Sequence, residues 1–238
     1  MKIMILETGL VPPPIRADFP DYPQMLRDLI QPVAPEFIFS RHDVMDGSFP
    51  ALDEADGFLI TGSPAGVYED HVWMEGLFDF IRKSAQAKIP QVGICFGNQA
   101  IAHAFGGRVI KSPLGWGLGR HSYDIQQTPD WWTGDQTEFA LVVSHKDQVV
   151  EPAAGSKIIA RSDFAPYAAL YYPDAPALSF QGHPEFNDDY AAALYNVRRG
   201  NPLSDEDVDA AIASLQRPQH NTRVASWIAD FFRSASGN

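Results

Sequence analysis

Four short apolar runs, set too far apart for hairpins, constrain this chain more than any other feature. Ile3 to Leu6, Phe37-Ile38-Phe39, Gly57 to Ile60 and Gln91 to Ile94 have the length of strands buried on both faces. Each gap exceeds the ~12 residues that a crossover between parallel strands needs. Trp73, Leu77, Phe80 and Ile81 share one helical face in the third gap. Ile101, Ala102 and Phe105 make the inner face of a later helix stopped by Gly106-Gly107. Alternating strand and helix predict an α/β fold with a doubly wound, mostly parallel sheet.

After Arg108 the texture changes. Arg108-Val109-Ile110, His121 to Gln126, Phe139 to Val143, Lys157 to Ala160, Ala168 to Tyr172 and Ala177 to Gln181 follow one another too closely for a helix between every pair. Antiparallel strands are therefore expected to extend the sheet. Beyond Glu185 the pattern is helical again. Ser204 with Asp207 suits a helix start, Val208, Ala211, Ile212 and Leu215 share a face, and Val224, Trp227, Ile228, Phe231 and Phe232 share another. No repeat or linker interrupts the 238 residues. The expectation is one domain over 1–238 with a helical C-terminal extension from about 187 to 238, in which Asn187 to Gln219 carries no motif that explains it.

Thirty acidic residues against 18 basic ones give a net charge of −12, and no basic run offsets it locally. Such a surface repels phosphate backbones and anionic membranes, so neither nucleic acid nor a membrane is an expected partner. The apolar run at the amino terminus is too short for a secretory leader, and no stretch approaches the ~20 apolar residues of a membrane span. A single cysteine permits no internal disulfide, and together these features point to the cytoplasm.

That cysteine sits in Gly93-Ile94-Cys95-Phe96-Gly97, between an apolar strand and a helical pattern. Glycines two residues to either side allow a sharp strand-to-helix turn that lifts the middle side chain to the sheet edge and the helix N-terminus. A helix end favours thiolate and offers N–H donors to an oxyanion. A lone cysteine is otherwise a small buried hydrophobe. A thiol nucleophile needs a base, and Gln181-Gly182-His183-Pro184-Glu185 supplies one at the end of a predicted strand. Pro184 holds His183 extended, so Glu185 two residues on lies on the same side and can orient the ring. In isolation, His-Pro-Glu is also what a surface turn looks like.

Gly93 to Gln99 together with His183-Pro184-Glu185 resembles the class I (triad) glutamine amidotransferases, in the stand-alone branch near GMP synthetase. Thr61-Gly62-Ser63-Pro64 is similar to that family's oxyanion loop, and Val143-Ser144-His145-Lys146-Asp147-Gln148-Val149 to its S-H-x-D-x-V segment. The resemblance covers roughly residues 1 to 190 and implies a flavodoxin-like class I glutamine amidotransferase fold. It implies that Cys95 attacks the glutamine side-chain amide, that the backbone N–H groups of Ser63 and Phe96 hold the oxyanion, and that His183, oriented by Glu185, protonates the leaving ammonia. Gly62, Gln99, Ser144 and His145 would hold the substrate's amino-acid end. Two positions depart from the pattern: Ser63 stands where a second glycine is frequent, and Gly117 where relatives often carry a glutamate.

The resemblance leaves the ammonia acceptor open. The chain has no P-loop and no room for a second catalytic domain, so either a separate synthetase subunit accepts ammonia or the protein is a free-standing hydrolase. A γ-glutamyl peptidase acting on glutathione-like conjugates is the alternative enzyme, and a non-catalytic, glutamine-binding regulatory subunit the alternative class. No cofactor and no metal are expected, since His-Glu-x-x-His is absent and one cysteine cannot build a thiolate zinc site. His103 reads as a packing or surface residue. Trp131-Trp132 reads as an anchor, and the Trp227, Phe231, Phe232 face as core or a homodimer contact.

Overall fold

The computed structural model describes residues 1–236, leaving Gly237 and Asn238 of the expected extension outside the described residues. A nine-stranded sheet dominates, in the order β2-β1-β3-β4-β11-β10-β9-β6-β7. Its first half is parallel: β1 (Lys2–Glu7) lies between β2 (Ile38–Asp43) and β3 (Gly57–Ile60), followed by β4 (Gln91–Ile94) and β11 (Ala177–Phe180). The residues of β3, β4 and β11 are all buried, as apolar runs without polar alternation require, whereas β2 lies at the edge and is largely exposed. Strand β2 starts at Ile38 rather than Phe37, because the Phe37 ring turns into the core against Phe232.

The antiparallel half consists of β10 (Ala169–Tyr172), β9 (Lys157–Arg161), β6 (Gly117–Ile125) and β7 (Glu138–His145). Two readings of the sequence need correction here. Strand β6 begins at Gly117, not His121: the Gly117-Leu118-Gly119 stretch already pairs with His145-Ser144-Val143. The Arg108 strand, β5 (Arg108–Lys111), leaves the main sheet and pairs with β8 (Asp147–Glu151) in a separate ribbon. Strand β8 was hidden inside a motif legible only as a binding segment.

Helices cover both faces: α1 (Tyr22–Ile30), α2 (Met74–Gln86) and α3 (Phe96–Ala104) early, then α4 (Asp188–Val197), α5 (Asp205–Ser214) and α6 (Asn221–Ser236). Asp21, Asn187 and Ser204 each cap a helix by accepting the backbone N–H three residues on, so α1, α4 and α5 begin where they do. Among the described residues no helix is long and apolar enough to cross a membrane. Trp227, Phe231 and Phe232 are buried in the core formed with β1, β4 and α1, so this face is not available as a dimer contact. Trp132 stacks on Trp227 with ring centroids 3.7 Å apart, the anchor expected of the Trp131-Trp132 pair.

Candidate active site

Three parallel strands deliver the site at their C-terminal ends, where doubly wound sheets bind ligands. Cys95 follows β4 and caps α3 with φ 53° and ψ −99°, a conformation costly for a residue with a side chain. The glycines around it make the turn feasible. A Cβ on Gly93 would lie 2.4 Å from the Gly97 carbonyl oxygen, and one on Gly97 2.5 Å from that of Ile60. Glycine is therefore sterically required at both flanks of the turn. Among the described residues neither the Ser63 nor the Phe96 backbone N–H has an acceptor, as befits a loop and the first turn of a helix.

His183 follows β11, its backbone N–H donating to the Val142 carbonyl at 2.8 Å. Its Nδ1 lies 2.7 Å from Glu185 Oε1, both side chains are buried, and the ring stacks on Phe186 at 3.9 Å. With Nδ1 engaged, Nε2 is the nitrogen left for the thiol. Burial by itself lowers the imidazole's proton affinity, but the charges and hydrogen bonds of Cys95 and Glu185 outweigh it and push the His183 pKa up to about 10. The raised value favours the imidazolium form of His183 beside the thiol. Gly62 makes room for the ring, since a Cβ there would lie 2.9 Å from His183 Cε1. Ser63 keeps φ outside the left-handed region and its hydroxyl accepts the Ala65 N–H at 3.2 Å, so serine fits the loop without strain.

A cavity of about 430 Å³ opens beside Cys95 on the Gln99 and His145 side, and a smaller one of about 160 Å³ on the side of His183 and Phe186. Both are bordered by Ser63, Ser144 and Arg198. Gln99 and His145 reach the larger cavity with their donors already committed. Gln99 Nε2 donates to the Asp147 carbonyl at 2.8 Å and to Gln181 Oε1 at 3.3 Å, and His145 Nδ1 donates to the same Asp147 carbonyl at 2.9 Å. Burial pushes the His145 pKa down to about 3, so its ring is neutral at pH 7. Gly117 carries no side chain because a Cβ would sit 2.9 Å from His145 Nε2 and 2.8 Å from the Phe164 ring. A glutamate at 117 and this placement of His145 exclude each other. His103, by contrast, lies on the exposed face of α3 with its ring 4.6 Å from Phe78.

Two residues at the site went unread in the sequence. Gln181 Nε2 donates to Cys95 Sγ at 3.6 Å, held by Asn98, which in turn accepts the Ser179 hydroxyl at 2.7 Å. Its place in the Gln-Gly-His-Pro-Glu run was the available signal. Arg198, at the end of α4, donates to Ser144 Oγ at 2.6 Å. It comes from the stretch without a motif, where no local pattern could single it out.

Known proteins agree with this architecture. The family model of Glutamine amidotransferase class-I matches residues 37–193. Gamma-glutamyl peptidase 3 of Arabidopsis thaliana is 31% identical over 74% of this chain and 74% of its own length. A glutamine amidotransferase-like protein of Schizosaccharomyces pombe is 24% identical over 91% of this chain and 92% of its own. The crystal structure of a glutamine amidotransferase from Thermotoga maritima superposes with a TM-score of 0.74 over 99% of both chains at 17% identity, a likeness of fold. The family model over residues 37–193 and the 31% identity to the peptidase together show that the chain belongs to the class I glutamine amidotransferase family.

Proposed function

We propose that the protein is a cysteine hydrolase that cleaves the side-chain amide of glutamine or a close γ-glutamyl compound, releasing glutamate. The observation that carries this reading is the preassembled triad: a strained, glycine-flanked Cys95 beside a His183 whose ring is fixed by Glu185 at 2.7 Å. The Cys95 thiolate adds to the γ-carbonyl carbon, and the carbonyl electron pair moves to the oxygen, which accepts the Ser63 and Phe96 N–H groups. Collapse reforms the carbonyl and breaks the C–N bond, the amine taking the Nε2 proton of His183. Water then gives a proton to the same Nε2 and attacks the thioester. The C–S bond breaks to restore the thiolate and imidazolium, and the γ-carboxylic acid so formed gives its proton to the freed amine, leaving glutamate and the protonated amine. Gln99, Ser144 and His145 line the larger cavity, where the glutamyl end would lie, Gln99 chiefly by shaping the wall, and Gly62 borders the smaller one beside His183.

A second reading, a γ-glutamyl peptidase releasing an amine larger than ammonia, is favoured by the peptidase relative and by a cavity of about 430 Å³ beside the thiol. A purely regulatory, glutamine-binding role has no need of an imidazole oriented by a carboxylate beside Cys95. Glutamate release from glutamine and from γ-glutamyl dipeptides is the test, with a synthetase partner sought by co-purification. We expect turnover that Cys95→Ala abolishes; equal behaviour of wild type and variant on every compound would refute the proposal.

A further inference from the structure

Six of the twelve arginines hold no carboxylate among the described residues, and of these Arg198 is the one that lines the cavities at Cys95. Arg41, Arg82, Arg108, Arg120, Arg199 and Arg233 each hold an aspartate or glutamate. Among the described residues Arg198 has no carboxylate within ion-pair distance, and its one hydrogen bond goes to the neutral Ser144 hydroxyl. It is half-buried, whereas Lys111 and Lys146 of the same wall are exposed. In a chain of net charge −12, an unpaired guanidinium partly withdrawn from water beside the nucleophile calls for an anion.

The group is also held in a defined pose. Its carbon lies 5.3 Å from the centre of the Trp116 ring, and Ser144 fixes one nitrogen. A guanidinium stacked on an aromatic face keeps in-plane N–H donors at its edge, the geometry that grips a carboxylate with two parallel hydrogen bonds. Arg198 borders both cavities that meet at Cys95. It also lies beyond residues 37–193, the part of the chain that matches the family model.

We propose that Arg198 binds a carboxylate of the substrate and makes the enzyme selective for γ-glutamyl compounds that carry one within reach of Cys95. The inference rests on Cys95 acting on γ-glutamyl amides. Two carboxylates have this chemistry: the α-carboxylate of the γ-glutamyl end and that of an amino acid leaving as the amine. Serving both cavities, Arg198 is placed for either.

Two substrate pairs separate them: L-glutamine against L-glutaminamide, and γ-L-glutamylglycine against γ-L-glutamylglycinamide. Each is assayed with wild type, Arg198→Gln and Arg198→Lys. Wild type should prefer the carboxylate member of at least one pair by roughly 10- to 100-fold in kcat/KM, mostly through KM, the span expected of a charge-assisted hydrogen bond. In Arg198→Gln that preference should shrink to within about 3-fold, while Arg198→Lys, charged but without the fork, should keep part of it. Collapse in the glutamine pair assigns the α-carboxylate, and collapse in the dipeptide pair alone assigns the leaving amino acid. A wild type indifferent to both replacements, or a preference undiminished in Arg198→Gln, overturns the proposal. If Arg198→Gln does not fold, an undiminished preference in Arg198→Lys overturns it instead. Turnover of none of the four compounds by wild type removes the hydrolase reading itself, a result distinct from turnover with selectivity intact.

Discussion

Glu185 puts its two oxygens to different uses, and that difference defines the chemistry at residue scale. Oε1 accepts the His183 Nδ1 proton, while Oε2 is buried without a hydrogen-bond partner among the described residues. Its negative charge helps hold the imidazolium against burial, so Glu185→Gln, which keeps the shape and loses the charge, should cut kcat by roughly 10²- to 10⁴-fold. The high-pH limb of the kcat/KM profile should fall to lower pH at the same time, because the His183 pKa drops from about 10 towards its ordinary value. A limb unmoved by the substitution would show that Glu185 does not set the ionisation. Stability follows the same sign. A histidine whose pKa is higher folded than unfolded contributes fully below about pH 6.5 and loses that contribution as pH rises through about 10. Cys95, His183 and Glu185 were legible because each role leaves a local trace: glycines at either side of the turn, and a proline between base and carboxylate. Gln181 left a weaker trace, since an amide reaching sulfur across two strands has no spacing rule.

At the scale of elements, α4 decides how much of the site the sequence could disclose. The helix is pinned to the β6–β7 pair by Tyr195, whose hydroxyl donates to the Val143 carbonyl at 2.6 Å and accepts the Gly119 N–H at 2.9 Å. Arg120, buried within β6, reaches Asp188 at the start of α4 and the Leu215 carbonyl at 3.1 Å just past α5. The stretch from 187 to 219 thus joins an apolar face that includes Leu194, Val208, Ala211 and Leu215 to long-range polar contacts, and hydrophobic periodicity registers only the first. The early strands and helices were readable because their apolar runs and faces report burial directly. Tyr195→Phe leaves two buried backbone groups short of a partner and should cost about 2–4 kcal/mol in urea unfolding. Because Arg198 lies three residues beyond Tyr195, the same variant should raise KM more than it lowers kcat. A change confined to stability would mean that α4 is anchored elsewhere.

Across the whole molecule, the aromatic face of α6 is a structural centre. Trp227 is fully buried, stacks on Trp132, meets Phe139 at 5.4 Å and donates its indole N–H to the Thr133 carbonyl at 3.1 Å. Trp227→Ala should lower unfolding stability by about 3–5 kcal/mol, read as a lower urea midpoint, while the protein that remains folded keeps its kcat/KM. The sequence showed that this face was apolar but could not say what covers it, since that depends on strand order. The same helix reaches back to the opening of the chain. Arg233 holds Glu36, 197 positions earlier, at 2.7 Å, and a Cβ on Gly57 would meet the Phe232 ring at 2.8 Å. During translation, then, β1 and α1 emerge long before the residues that seal them have been made. A ribosome-bound chain carries an uncovered greasy flank, suited to chaperone capture, until Trp227 to Arg233 clear the exit tunnel.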